Sequence, residues 1–569
     1  MTSDAYTVQE RPIHSGRKLR VICIGAGASG LLLAYKIQYN FYESDVELQI
    51  YEKNPDLGGT WLENRYTWSF EPKADWKQTF ATSPEIHRYF DEFAAKYDLE
   101  RHIRYNSQVS GAKWNDEQGK WAVEITQNGK VVHDVCDILI NASGILNNWR
   151  WPAIPGLENF KGPKLHSAAW DETLDLTGKK VGLIGNGSSG IQILPAILPV
   201  VDSVVNFIRE PTWVSPMPLP GFEAREFSQE EQDEFRTNTA KHLEFRKTIE
   251  RTGNQVFPLF LQDSDAQKQA FEHFKSGMRE QIQSDYLKDK LVPQWSVGCR
   301  RLTPGVGYLD SLAHPKSSVV YGEIMRVTDT GLVMDNGEEH PVDVLVCATG
   351  FDTTFKPRFP LIGPDGSSLA EKWAAEPLSY LGIGAPGFPN YFMFLGPNCP
   401  IGNGPVLIGI ETQADYFMKF IQKVREENIK SFNPKEAAVV EFKEHKDTWM
   451  KRSVWDQECR SWYKNPAGQI TAVWPGSVPH YIETMERPRF EDYDWNYLTA
   501  SNRWSFLGNG FSQREALGAD LGWYIRQRDD AVPLGKKERF VFTPGADDHT
   551  VPAATTLGAP VNPPVNPRL

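Results

Sequence analysis

Two glycine-rich turns of one pattern constrain this chain more than any other feature of it. Residues 18–25 (KLRVICIG) form an apolar run of the length of a buried parallel strand. The run passes straight into Gly25-Ala26-Gly27-Ala28-Ser29-Gly30 and a helical pattern over 31–39, and a second strand pattern, 46–51, ends on the acid Glu52. Strand, glycine turn, helix, strand and acid together make the βαβ dinucleotide fingerprint, which a glycine triplet alone does not. Gly25 permits the tight turn, Gly27 lets backbone approach a pyrophosphate, and Gly30 lets helix pack on strand. Phosphates would meet the N–H groups at the positive end of the helix, beside Ser29. Glu52 would accept hydrogen bonds from a ribose.

The design recurs. Residues 180–184 (KVGLI) lead into Gly185-Asn186-Gly187-Ser188-Ser189-Gly190, a helix from 191 and a strand over 203–208 that ends at Arg209. A carboxylate there suits a free ribose 2′-hydroxyl; a guanidinium suits a 2′-phosphate by charge and fork geometry. The other reading of Arg209 is a solvated strand-end residue. FAD or NAD is thus expected at the first turn and NADPH at the second.

Two such sites imply electron transfer from a nicotinamide to a flavin and onward. A disulfide reductase would carry an early cysteine pair. The six cysteines stand apart at 23, 136, 299, 347, 399 and 459. Cys23, Cys136 and Cys347 fall in apolar runs, as buried free thiols do, and no pair has the spacing of a metal site or redox dithiol. A reduced, cytoplasmic protein with no metal is expected, with oxygen as the electron acceptor.

At 569 residues the chain predicts two to four structural units. With 61 basic and 73 acidic side chains it carries a net charge of −12, which argues against nucleic acid or an anionic membrane as partner. No run is long and apolar enough to span a bilayer, and residues 1–20 lack a secretory apolar region. Between the two turns, strand patterns at 121–126 and 130–135 flank the hairpin signal Asn128-Gly129 and lead to 136–142. A parallel pattern returns at 332–335, Asn336-Gly337 and 342–348. Residues 221–291 are helical and charged, with Ser228-x-x-Glu231 and Ser264-x-x-Gln267 as capping boxes. Phe271, Phe274, Met278 and Ile282 make a packing stripe there. The expected fold is α/β: two interleaved Rossmann-like dinucleotide-binding domains with a helical insertion. The FAD-binding parts are 1–150 and 349–542, the NADPH-binding parts 151–220 and 296–348, the insertion 221–295, and 543–569 a flexible tail.

Between the fingerprints lies Phe160-x-Gly162-x-x-x-His166-x-x-x-Trp170-Asp171. It fits the FxGxxxHxxxW[PD] signature, and the chain resembles the type I Baeyer–Villiger monooxygenases over about residues 18–500. Gly58-Gly59-Thr60-Trp61, Asn64-Arg65-Tyr66 and Ala348-Thr349-Gly350-Phe351-Asp352 agree, and residues 298–305 and 459–464 resemble the fungal branch. The resemblance implies FAD and NADPH as cofactors and oxygen and a ketone as substrates. It implies ester or lactone formation through a flavin C4a-peroxide. A monomer or small homo-oligomer is expected. It makes Arg301 the catalytic arginine, a cation that cannot surrender its proton, and sets Arg300 beside Arg209 on the 2′-phosphate. Gly59, Thr60, Trp61 and the backbone of Val109 would meet the flavin cofactor, and Trp462 would lie near nicotinamide and substrate. Without the resemblance, adjacent arginines are ordinary surface charge, Trp462 is packing, and His166 and Trp170 brace a linker.

One departure bears on activity. Relatives continue after Asn-Arg-Tyr with a Pro-Gly stretch and an aspartate that partners the catalytic arginine. Here Tyr66 runs directly into Thr67-Trp68-Ser69-Phe70-Glu71-Pro72, about a dozen residues short. Glu63, Glu71 and Asp75 are the carboxylates nearby. Impaired or redirected oxygenation is one expectation. An N- or S-oxygenating flavin monooxygenase and an uncoupled NADPH oxidase or non-oxygenating flavoprotein are the alternatives.

Overall fold

The computed structural model describes residues 6–59, 67–215 and 225–525. Thr60, Trp61, Glu63 and the expected tail at 543–569 lie outside the described residues.

β1 (Leu19–Ile24) is buried along nearly its whole length, as a central parallel strand must be. It feeds α1 (Ala28–Asn40) and β2 (Val46–Tyr51), followed by α2 (Ser83–Lys96), β3 (Ile103–Arg104), β4 (Ser107–Asn115), β5 (Lys120–Gln127), β6 (Lys130–Cys136) and β7 (Ile138–Asn141). The second unit opens with β8 (Lys164–His166), β9 (Lys180–Ile184), α3 (Ser188–Ile197), β10 (Ser203–Ile208) and β11 (Val214–Ser215). Helices α4 (Gln229–Thr237), α5 (Thr239–Gln255), α6 (Asp265–Gln281) and α7 (Asp285–Leu291) follow. The chain then returns through β12 (Thr303–Pro304), α8 (Tyr308–Leu312), β13 (Ser317–Tyr321), β14 (Ile324–Val327), β15 (Gly331–Met334), β16 (Glu339–Pro341) and β17 (Val344–Cys347). The last stretch holds β18 (Leu361–Ile362), α9 (Leu369–Lys372), β19 (Tyr391–Met393), α10 (Val406–Glu426), β20 (Ile429–Pro434), α11 (Glu436–Met450), α12 (Val478–Glu486), β21 (Tyr493–Tyr497) and α13 (Gln513–Ala516).

Two five-stranded parallel sheets carry the architecture, ordered β19-β7-β1-β2-β3 and β13-β10-β9-β17-β8. The chain leaves the first sheet after β7, builds the whole second sheet, and re-enters the first at β19. The two units are therefore interleaved, as the paired hairpins and small-Gly corners predict. In each sheet the glycine turn follows the strand whose two neighbours lead in opposite directions. That is where open α/β sheets bind ligands. The Asn128-Gly129 hairpin joins β5 and β6, with Asn128 at φ 49° and Gly129 at φ 75°, as a primed turn requires.

The helical insertion is less simply placed than its sequence suggests. Met278, Ile282 and Leu291 join the core of the second sheet, with Phe271 and Phe274 edge-on to Trp213. Phe227, Phe235 and Phe260 instead enter the core built on the first sheet. The insertion thus grips both units. Ser228 and Glu231 form a complete capping box, but Ser264 caps alone: the Gln267 amide turns inward to donate to Leu259 O and Val297 O.

Candidate active site

The first turn is built by exclusion. Gly25 sits at φ 105°, where a side chain is strained, and a Cβ there would lie 2.8 Å from Ala142 O. A Cβ on Gly30 would lie 2.1 Å from Gly25 O, so helix and strand meet only because it is absent. Gly27 precedes α1 with no side-chain cap, and Gly59 Cα stands 3.7 Å from where its Cβ would be. The Gly58 N–H donates to Ala26 O at 3.1 Å, closing that loop over the turn. The uncapped helix end with its narrow glycine-lined approach fits a pyrophosphate. Ser29 is buried in the first turn of α1. Glu52 is buried, and its two oxygens accept from Ala26 N–H at 2.8 Å and Asn54 N–H at 2.9 Å. The acid expected to hold a ribose therefore also fixes the turn beneath it. Val109 faces Ile125 across β4 and β5, just before a bulge that re-aims the backbone.

The second turn repeats the logic with more room. Gly185 sits at φ 106°, a Gly190 Cβ would lie 2.4 Å from Gly185 O, and nothing stands within 4 Å of where a Gly187 Cβ would be. Gly187 precedes α3, again without a side-chain cap. Ser188 Oγ shares a hydrogen bond with Thr303 Oγ1 at 2.6 Å, tying the turn to β12, and Ser189 follows half-buried.

Arg209 follows β10 and is largely exposed, with Nε 3.8 Å from Glu323. Arg300 pairs with Glu210, donates to Pro211 O at 3.2 Å, and lies over the Trp295 ring at 5.0 Å. Burial holds its pKa below the ordinary guanidinium value, with Glu210 opposing that shift. Its Nε has no hydrogen-bond partner among the described residues, as befits a group awaiting an anion. Arg301, its neighbour, reaches the other unit: its Nη1 donates at 3.3 Å to the carbonyl of Ile401, in the loop between β19 and α10. Tyr463 is fully buried beside it; burial raises the phenol's pKa and Arg301 pulls it back down. Trp462 is half-buried with its ring 4.8 Å from that of Tyr463. Asn403 Nδ2, buried at the same loop, has no partner among the described residues, which fits a polar ring edge at the N-terminus of α10.

The fingerprint residues divide by job. Phe160 is core, and Gly162 is required because a Cβ would lie 2.2 Å from Asp343 O. His166 is buried where the two inter-unit crossings meet: it stacks on Trp149 at 4.7 Å, and its Nε2 lies 3.3 Å from Thr349 Oγ1. Its Nδ1 accepts from Ala168 N–H at 3.1 Å. Burial lowers its pKa, so the ring is a neutral brace. The crossings themselves pair, through a bridge between Trp149 and Phe351 and Asp352 N–H to Asn148 O at 2.8 Å. Trp170 and Asp171 are exposed in a turn, where Asp171 accepts from Thr173.

One sequence expectation is corrected here. Cys299 and Cys459 form a disulfide, so the chain is not uniformly reduced. The two are 160 residues apart, and sequence spacing carries no sign of such a pairing. Cys23, Cys136, Cys347 and Cys399 are buried free thiols. Glu71 is committed to Lys96 at 2.7 Å and Tyr97 at 2.6 Å, and Asp75 to Lys73 at 3.0 Å. Neither is the arginine's partner. Instead Ser69 hydrogen-bonds through N–H and hydroxyl to buried Glu411 of α10, and Arg246 of α5 donates to Trp68 O at 2.7 Å. Burial raises the Glu411 pKa. Sequence reading missed Glu210, Glu323, Trp149 and Tyr463; each adjoins a motif residue in the chain or in space.

Among the described residues no helix is long and apolar enough to cross a membrane. The flavin-binding monooxygenase-like family profile matches residues 66–218, and an NAD(P)-binding Rossmann-like domain matches residues 23–93. The FAD-binding monooxygenase tazF of Aspergillus terreus is 40% identical over 539 residues, covering 90% of this chain and 96% of that one. A Baeyer–Villiger monooxygenase of Streptomyces coelicolor is 31% identical over 490 residues, 84% of this chain and 92% of its own. Among solved structures, OTEMO in complex with FAD and NADP superposes with a TM-score of 0.72 at 25% identity, over 84% of this chain and all of that one. Closed cyclohexanone monooxygenase gives 0.72 at 25% identity, over 85% of this chain.

Proposed function

The chain belongs to the flavin-binding monooxygenases as a type I Baeyer–Villiger-like flavoprotein using FAD and NADPH, and on that footing we propose that it oxygenates a ketone to an ester or lactone. The overall reaction consumes ketone, O₂, NADPH and a proton and yields ester, NADP⁺ and water. FAD supplies the oxygen-activating chemistry when bound. In this reading Gly25, Gly27, Ser29, Gly30, Glu52, Gly59, Thr60, Trp61 and Val109 hold FAD. Gly185, Gly187, Ser188, Ser189, Gly190, Arg209 and Arg300 hold NADPH. We assign the FAD-binding parts to the first sheet and the NADPH-binding parts to the second.

One observation carries the reading. Arg301 extends from the second unit onto the Ile401 carbonyl, beside Tyr463 and Trp462 and at the loop that opens α10. A permanent cation at that junction offers fixed positive charge to an oxyanion developing on a ketone, and it cannot lose its proton doing so. Trp462 and Tyr463 supply an apolar wall that excludes water. His166, neutral and stacked between the crossings, keeps the two units in register and moves no proton.

Glu71 and Asp75 are held by Lys96 and Lys73. Uncoupled NADPH oxidation is the second outcome that the same experiment reads. The test is product analysis with NADPH, O₂ and ketones of several sizes, reading ester, NADPH loss and peroxide together. Ester from one size class supports the proposal; oxygenation of amines or sulfides alone would replace it with the N- or S-oxygenating alternative.

A further inference from the structure

Three arginines, not two, converge where β10 ends. Arg460 Nε lies 3.1 Å from Glu210 Oε1 and its Nη1 3.9 Å from Glu323 Oε1. Arg300 pairs with the other oxygen of Glu210, and Arg209 shares Glu323 at 3.8 Å. Three guanidinium groups therefore share two carboxylates at the strand end, the position from which a dinucleotide fold reads the 2′ group of its ribose. A cavity of about 410 Å³ opens there, lined by Glu210, Trp295, Asp456, Glu458, Arg460 and Lys464 among others.

The disulfide explains how Arg460 comes to be present. Cys299 and Cys459 immediately precede Arg300 and Arg460, so one covalent bond sets both guanidinium groups on either side of Glu210. Gln457 seconds the tether by accepting the Ser296 N–H at 2.8 Å. Among the described residues the Arg460 side chain itself is held by ion pairs alone, and exposed ion pairs are weak, so the tether at Cys459 bears directly on its placement.

The geometry points to Arg460 as a third arginine on the 2′-phosphate of NADPH, held in place by the Cys299–Cys459 disulfide. In this arrangement Glu210 and Glu323 keep the three side chains extended and apart when no phosphate is bound. A dianionic phosphate draws the guanidinium groups from them, and a 2′-hydroxyl offers no such exchange. The inference rests on NADPH occupying the second turn. It concerns selectivity for the phosphate and not the fate of the ketone.

The test is calorimetric titration of the FAD-loaded protein with 2′,5′-ADP and with 5′-AMP, without ketone or turnover. Arg460→Ala should weaken 2′,5′-ADP about ten-fold and leave 5′-AMP unchanged, as loss of a charged hydrogen bond to phosphate requires. Arg460→Lys should recover part of the loss. Cys459→Ser should lower the preference for 2′,5′-ADP in the same direction. Unchanged 2′,5′-ADP binding in Arg460→Ala, or equal loss of both ligands, overturns the role of Arg460. Full preference in Cys459→Ser overturns the role of the disulfide. Ester formation is read separately, so a protein that binds 2′,5′-ADP through Arg460 but makes no ester refutes only the ketone assignment.

Discussion

Replacing Gly190 by alanine should separate the two cofactor sites. The new methyl group would stand 2.4 Å from the Gly185 carbonyl oxygen, against 3.4 Å for an ordinary contact. Backbone cannot rotate away as a flexible side chain would, so α3 must lift by about 1 Å from the turn it serves. Overpacking of this kind costs about 1–3 kcal/mol, which corresponds to about five- to 150-fold in NADPH affinity if the strain falls on the bound geometry. The first turn is untouched, so FAD should remain at full occupancy. Gly30→Ala is the mirror experiment: its methyl group would lie 2.1 Å from Gly25 O, and FAD should be lost first. The assay is flavin absorbance per protein chain, together with NADPH titration of each variant. A Gly190→Ala protein that binds NADPH as tightly as the parent, or that loses FAD instead, would refute the assignment of one cofactor to each turn.

Arg301→Lys keeps the charge but loses the planar fork. Ester output should fall by about 10²-fold while FAD and NADPH stay bound, read by gas chromatography beside cofactor titrations. His166→Ala removes the ring stacked on Trp149 and its contact with Thr349. It should cost about 1–3 kcal/mol of stability, measured as a lowered denaturant midpoint. The same histidine gives a pH dependence of known sign. Burial holds its pKa below the ordinary 6.5, so below that pH the unfolded chain takes up a proton that the folded ring refuses. Its contribution is full above 6.5 and declines as pH falls beneath it, so the parent's Tm should drop more steeply between pH 7 and pH 5 than that of His166→Gln.

Much of the fold is legible because two βαβ units announce themselves locally. The KLRVICIG and KVGLI runs, their glycine turns and the strand ends at Glu52 and Arg209 need no partner to be recognised. The interleaving is legible too, since each hairpin leads to a strand and a small-Gly corner. What escapes is long-range. Cys299 and Cys459 look unrelated until the fold brings 160 residues of separation down to one bond. Arg460 looks like surface charge until Glu210 and Glu323 meet it. The insertion reads as one body, yet Phe227 and Phe260 pack on one sheet and Met278 and Ile282 on the other. Residue type tells that such side chains will be buried, but topology decides against what. The spacing of His166 and Trp170 reads as a joint brace, yet Trp170 is exposed, and Trp149, the ring His166 stacks on, belongs to no motif.

Incubation with NADPH, ¹⁸O₂ and a panel of ketones, with mass spectrometry of the products, tests ketone oxygenation most directly. The expected result is an ester or lactone carrying one heavy oxygen atom from at least one ketone class, with ester and peroxide together matching the NADPH consumed. Peroxide accounting for all the NADPH, with no labelled ester from any ketone, would contradict it.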